Sequence, residues 1–233
     1  MGRSLIKAAM PLLLVAALGM AMPAVYAQGQ APTSAEVARF FRSVQLDDAG
    51  TVNKMLASVN PNQVNPVGGE PALVLALREN AMKVVDVLVA QPGIDLETPA
   101  MNGNTALMMA AYQHNGPAVT MLLARGARVT QPGWTALHYA AAAGDDAIAR
   151  QLLDHGAGID AVSPPASGKF TPLMMAAREG HDRTVQLLLR AGAATALRNG
   201  EGLTAEQIAT RAEKPAIAAA IRYHAGAYSR TGR

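Results

Sequence analysis

A heptapeptide motif recurs along most of this chain and limits the folds that are open to it. The motif reads TALMMAA at 105–111, TALHYAA at 135–141 and TPLMMAA at 171–177. A divergent copy, PALVLAL, starts at residue 71, and a polar copy, TAEQIA, starts at residue 204. The starts are separated by 34, 30, 36 and 33 residues. A nearly constant period in this range indicates an array of repeats, in which each unit packs on its neighbours.

The residues of each unit predict two short helices. The threonine that opens the motif is a good N-cap, and the Leu and Ala residues behind it form a narrow apolar face. A second motif, seen as MLLARGA, QLLDHGA and LLLRAGA, predicts a second helix that ends at Gly126, Gly156 or Gly192 in a left-handed cap. One helix pair cannot bury its own apolar face, so the units must stack. The expected fold class is an all-α repeat solenoid.

With its period near 33 and its TPLH-like start, the sequence resembles the ankyrin-repeat family from about residue 34 to residue 222, and would be a bacterial, exported member. The resemblance implies five to six helix-turn-helix units joined by β-hairpin or loop fingers. The expected boundaries are a signal peptide at 1–27, a short linker at 28–33, a degenerate N-terminal cap unit at 34–66, units starting near 71, 105, 135 and 171, a C-terminal cap unit from 204, and a flexible tail at 223–233.

The fingers carry all of the length variation. The capping glycine follows the first threonine by 21 residues in three units, but the next threonine follows that glycine by 9, 15 or 12 residues. Insertions in solenoids map to loops on one face, which is often the binding face. We therefore expect the proline-containing finger at 162–169 to project, and the short finger at 127–133 to leave a dip beside it.

The first 27 residues have the pattern of a secretory signal peptide. Arg3 and Lys7 precede an apolar run at 8–21, and small residues lead to a predicted cleavage after Ala27. A membrane anchor is the alternative, but the run is short for the roughly 20 apolar residues that a span needs. We expect a periplasmic protein that has no membrane association once the signal peptide is removed.

Composition and motifs exclude several classes of function. The chain has no cysteine and a net charge of only +3, so it has neither a thiolate zinc site nor the basic footprint of a nucleic-acid binder. His138, His155 and His181 are explained by their positions in the repeat, and the HExxH and GxSxG motifs are absent. We expect no catalytic residues, no bound metal and no cofactor, and a monomer that binds another protein.

The methionines offer a different function. Met108 and Met109 recur as Met174 and Met175 in the next unit but one, and Met101 lies near a finger tip. Such residues could bind a soft metal or consume oxidants. The interpretation that we favour is core packing, because methionine fills irregular gaps well.

Family resemblance places partner contacts at finger tips and at the groove-facing ends of the first helices. The predicted partner-binding residues are Arg78, Asn104, Tyr112, Gln113, Trp134, Lys169, Phe170, Arg178 and Glu179. Tyr112, Trp134 and Phe170 would form one aromatic patch, unless Trp134 and Phe170 only cover the finger base. The function expected is a non-enzymatic protein-interaction scaffold. The alternatives are an accessory or protective factor for another envelope protein, and the methionine chemistry above.

Overall fold

The computed structural model describes residues 32–231. The predicted signal peptide at 1–27 and most of the linker at 28–33 lie outside the described residues. Within them the chain forms twelve α-helices in six consecutive pairs. The pairs are α1 (Ser34–Gln45) and α2 (Ala49–Met55), α3 (Ala72–Arg78) and α4 (Met82–Val89), α5 (Ala106–Tyr112) and α6 (Gly116–Ala124), α7 (Ala136–Ala143) and α8 (Asp146–Asp154), α9 (Pro172–Glu179) and α10 (Asp182–Arg190), and α11 (Ala205–Arg211) and α12 (Pro215–Thr231).

The helices lie in two layers. The first helix of each pair packs on the first helices of the neighbouring pairs, and the second helices pack on one another in the same order. Leu107, Leu137 and Leu173 are all buried in one continuous core. The predicted all-α solenoid of stacked pairs is therefore confirmed.

Most of the first helices begin with the same cap, made from different side chains. The backbone N–H of the opening threonine donates to the side chain three residues later in each of five units. The acceptors are Oε2 of Glu36 at 2.8 Å, Sδ of Met108 at 3.5 Å, Nδ1 of His138 at 3.2 Å, Sδ of Met174 at 3.5 Å and Oε1 of Gln207 at 2.9 Å. In two units methionine sulfur thus takes the place of the histidine nitrogen as a weak acceptor.

The unit at 71 begins differently, and the fingers are loops. Pro71 provides no side-chain cap, and its neighbourhood is held by an isolated bridge between Val64 and Pro71. That bridge is the one element of β pairing among residues 32–231, so the fingers are not the β-hairpins of the family pattern. The second helices end as predicted, because Gly126, Gly156 and Gly192 have φ values of 84°, 83° and 95°.

Side chains in the turns of one unit hold backbone groups of the next. Each of these bonds joins an acidic or amide oxygen to an N–H that lies 31 to 37 residues further on. The bonds are Asp47 to Val84 at 2.9 Å, Asn62 to Asp95 at 2.8 Å, Glu97 to Arg128 at 2.8 Å and Asp160 to Ala194 at 2.9 Å. They satisfy loop N–H groups and fix the stacking of neighbouring units.

The segment predicted as a flexible tail, 223–233, is mostly helical. Helix α12 continues through this segment and ends at Thr231. Ile217 and Ile221 anchor its first half in the core. Four of the seven residues at 215–221 are alanine, and no proline follows Pro215, so a helix that has started there can continue.

Candidate binding groove

A pocket of about 480 Å³ lies beside the middle units, next to the end of the short finger at 127–133. We call it the central pocket, and none of residues 127–133 lines it, so the dip predicted beside the short finger is not this pocket. The residues that line it are Tyr112, Gln113, His114, Trp134, His138, Tyr139, Ala142, Ala143 and Met175. They come from the end of α5 and the two residues after it, from Trp134 just before α7, from α7 itself and from α9.

Three aromatic side chains meet at the pocket. The rings of Tyr112 and Tyr139 have centroids 5.9 Å apart at 84°, and those of Trp134 and Tyr139 are 6.1 Å apart at 41°. The sequence predicted two of the three and missed Tyr139. The sequence did contain an indication of Tyr139, because it replaces the methionine that the two neighbouring full units have at the same position of the motif.

The polar ends of these rings are held by neighbouring fingers. Trp134 donates from Nε1 to Oγ of Ser167 at 3.3 Å, and the Tyr139 hydroxyl donates to Oδ1 of Asn104 at 2.6 Å. Burial raises the pKa of the Tyr139 phenol, so it stays protonated as a donor. Asn104, which the sequence predicted as a partner contact, positions an aromatic ring.

His138 stands behind the aromatic rings as part of the scaffold. Its Nδ1 accepts from the Thr135 N–H, so the ring proton is on Nε2, which donates to the Phe170 carbonyl at 3.0 Å. Burial lowers the pKa of this buried imidazole and keeps it neutral. The ring centroid lies 5.1 Å from that of Trp134, so His138 also supports the pocket wall.

Phe170 does not complete the central aromatic cluster. Its ring lies under the guanidinium of Arg178, with Cζ of the arginine 5.1 Å from the ring centroid. Both residues line a second hollow, of about 340 Å³, which they share with residues of the last unit. The predicted patch of Tyr112, Trp134 and Phe170 is thus corrected, since Tyr139 takes the place expected for Phe170.

The charged candidates flank the central pocket in internal ion pairs. Arg78 pairs with Glu70 at 3.1 Å and with Glu79 at 2.9 Å. Arg178 pairs with Glu179 at 2.8 Å. These side chains are partly exposed, and such pairs contribute little to stability. Their main effect is to leave the groove with charged flanks and an uncharged middle.

Two further candidates make contacts of their own. Gln113 donates from Nε2 to the Arg78 carbonyl at 2.8 Å, and so links α5 to α3. Lys169 is exposed and has a left-handed backbone, with φ of 52°.

The finger at 162–169, which was predicted to project, is bonded to the fingers on both sides of it. It contains a short 3₁₀ helix, Pro165–Ser167. Ser167 accepts the Trp134 bond on one side, and on the other side the Gly168 carbonyl accepts from the Gly200 N–H at 2.7 Å. The finger is thus fixed to the last unit by one bond and holds the Trp134 ring by the other.

The methionine pairs lie in the core. Met108, Met109, Met174 and Met175 are buried, whereas Met101 is 83% exposed and lies over Gly69. Such burial favours packing over soft-metal binding by the pairs. Between residues 32 and 231 there is also no group of three or more His, Asp or Glu side chains that could hold a metal ion. In the same part of the chain, none of the helices combines the length and the apolar character that a bilayer crossing requires.

Comparison with known proteins identifies the class to which this fold belongs. The family model described as "Ankyrin repeats (3 copies)" matches residues 40–132, 93–164 and 126–199, which together span most of the chain. The chain belongs to the ankyrin-repeat family. Ankyrin repeats imply a protein–protein interaction scaffold.

Individual relatives match parts of the chain. It is 39% identical over 104 residues to the ankyrin repeat and KH domain-containing protein mask of Drosophila melanogaster, and 40% identical over 106 residues to the human ankyrin repeat and KH domain-containing protein 1. It is 44% identical over 72 residues to the RelA-associated inhibitor of Mus musculus. These matches cover 43%, 44% and 30% of this chain, but only 3%, 4% and 9% of the relatives.

Proposed function

We propose that this protein is a non-enzymatic scaffold of the periplasm that holds a partner protein in the central pocket and against the adjoining fingers. The observation that carries the proposal is the partly exposed aromatic cluster of Tyr112, Trp134 and Tyr139 in a concave, uncharged part of the groove. Tyrosine and tryptophan are the side chains most enriched at interface hot spots.

The construction of the pocket supports binding as well as packing. Tyr112 is exposed, and Trp134 and Tyr139 are half-buried, so each ring keeps part of its surface for a partner. The bonds to Ser167 and Asn104 hold two of the rings in place before any partner arrives. A preorganised surface loses less conformational entropy on binding.

Capture of a partner from an envelope extract tests the proposal. The double variant Trp134→Ala/Tyr112→Ala should lose most of the captured partner, because two hot-spot side chains are truncated. The matched control is Tyr223→Ala, which removes a tyrosine that is 81% exposed on α12, outside the groove. If the double variant, still folded by circular dichroism, captures the same partner as the control, the pocket is not the binding site.

We propose export on the basis of the signal-peptide pattern of residues 1–27. We also propose that the exported protein is a monomer. Expression in a bacterium followed by fractionation should give a periplasmic protein whose N-terminus is Gln28. Intact Met1 on a protein in the cytoplasmic fraction would contradict export. Light scattering of the same protein tests the monomer.

A further inference from the structure

Two of the units contain an arginine that reaches the residue just before their motif. The arginine is the seventh residue after the first motif residue, at the groove-facing end of the first helix. In the unit at 71, Arg78 pairs with the Glu70 carboxylate at 3.1 Å. In the unit at 171, the Arg178 guanidinium covers the Phe170 ring at 5.1 Å. This pair of positions therefore brings a guanidinium and an anionic or aromatic group together.

The middle unit has the aromatic residue but lacks the guanidinium. Trp134 occupies the position of Phe170, and Ala142 occupies the position of Arg178. The central pocket lies where the arginine side chain would be, and both Trp134 and Ala142 line it. Among residues 32–231, no lysine, arginine, aspartate or glutamate contributes to its lining.

Building on the proposed function, we propose that the central pocket binds an arginine side chain supplied by the partner protein. The guanidinium takes the place over Trp134 that Arg178 takes over Phe170. Tryptophan is the aromatic residue that attracts cations most strongly, and the planar guanidinium also stacks on rings.

The rim of the pocket supplies oxygen acceptors for such a group. The Tyr112 hydroxyl and Oε1 of Gln113 have no hydrogen-bond partner within the described part of the chain. His114, which also lines the pocket, is 3.3 Å from Oδ2 of Asp145.

The single tryptophan of the chain makes its fluorescence a direct reporter of the pocket. The probes are two blocked tripeptides, Ala–Arg–Ala and its citrulline analogue, which has nearly the same shape but no charge. We expect a saturable change in fluorescence with the arginine peptide. The affinity for the citrulline peptide should be lower by about tenfold or more. Equal affinity for both peptides, or no saturable change with the arginine peptide, would overturn the proposal.

A variant that supplies the guanidinium from within the chain gives a second test. Ala142→Arg should place an arginine over Trp134, as in the unit at 171, and reduce binding of the arginine peptide at least tenfold. Ala124→Arg is the matched control, because it adds the same charge at an exposed position on α6. If Ala142→Arg stays folded and binds the peptide as strongly as the control, the assignment is wrong.

The outcomes separate this inference from the proposed function. Capture lost in Trp134→Ala/Tyr112→Ala, with equal affinities for the two peptides, would keep the scaffold function and overturn the arginine site. A clear preference for the arginine peptide, with capture unchanged in the double variant, would overturn both the proposed function of the pocket and the partner as the source of the arginine.

Discussion

The unit at 135 and the unit at 171 share a backbone plan but differ in what they present to the groove. Both begin with a threonine cap, and both bury a leucine two residues later. Their groove surfaces diverge at one pair of positions, since Arg178 covers Phe170 whereas Ala142 leaves Trp134 open. The comparison shows that caps and core residues maintain the repeat, while a few surface side chains decide which unit can bind.

The caps of the two units also differ, and replacing His138 should have the largest effect on stability. His138→Ala leaves the Thr135 N–H without a partner, whereas the Phe170 carbonyl loses one of two bonds and keeps that from the Ser163 N–H at 2.9 Å. The free energy of unfolding, measured in urea, should fall by about 1–3 kcal/mol.

His138→Met separates the two contributions of this histidine. It copies the cap of the unit at 171, where Met174 accepts from the Thr171 N–H, but it cannot donate to Phe170. We expect roughly half of the loss seen with alanine. If both variants unfold at the urea concentration of the unchanged protein, the histidine has no structural role.

Removing Arg178 should make the unit at 171 resemble the middle unit, at a smaller cost. Arg178→Ala uncovers Phe170, and a cation–π contact at a partly exposed site contributes about 0.5–1 kcal/mol. Arg183→Ala, at an exposed position on α10, is the control and should change the unfolding free energy by less than about 0.5 kcal/mol. Equal effects of the two variants would show that the ring contact does not stabilise this unit.

The pH dependence of stability gives the finest distinction between the two caps. Burial lowers the pKa of His138 below its ordinary value of 6.5, so the unfolded chain takes up this proton at a higher pH than the folded chain. The contribution of His138 to stability is therefore complete above about pH 6.5 and falls as the pH decreases towards the folded-state pKa. In His138→Met, the free energy of unfolding in urea should depend less steeply on pH over this range. An unchanged slope would show that other groups cause the pH dependence.

The repeats predicted the fold because their caps and apolar positions act within one unit. Thr105, Thr135 and Thr171 open helices as expected, and the buried leucines follow from the spacing. The site was harder to predict, because its contacts join different units. Tyr139 and Asn104 are 35 residues apart, and no local pattern indicates that they meet.

The helical end of the chain and the bonds of the long finger were not predicted, for a different reason. The end contains glycine and arginine, but alanine propensity and the anchored start of α12 extend the helix. The length of the finger at 162–169 predicted that it projects, but the bonds of Ser167 and Gly168 depend on the neighbouring fingers. Those bonds cannot be derived from the sequence of the finger alone.

Site-specific photo-crosslinking in the cell tests most directly whether the open pocket of the middle unit is the place where a partner binds. A photoreactive residue at Ala142 lies in the central pocket, and the same residue at Ala124 lies on the outer layer of helices. We predict a discrete crosslinked product from Ala142 and none from Ala124. Products from Ala124 alone, or equal products from both positions, would contradict the account.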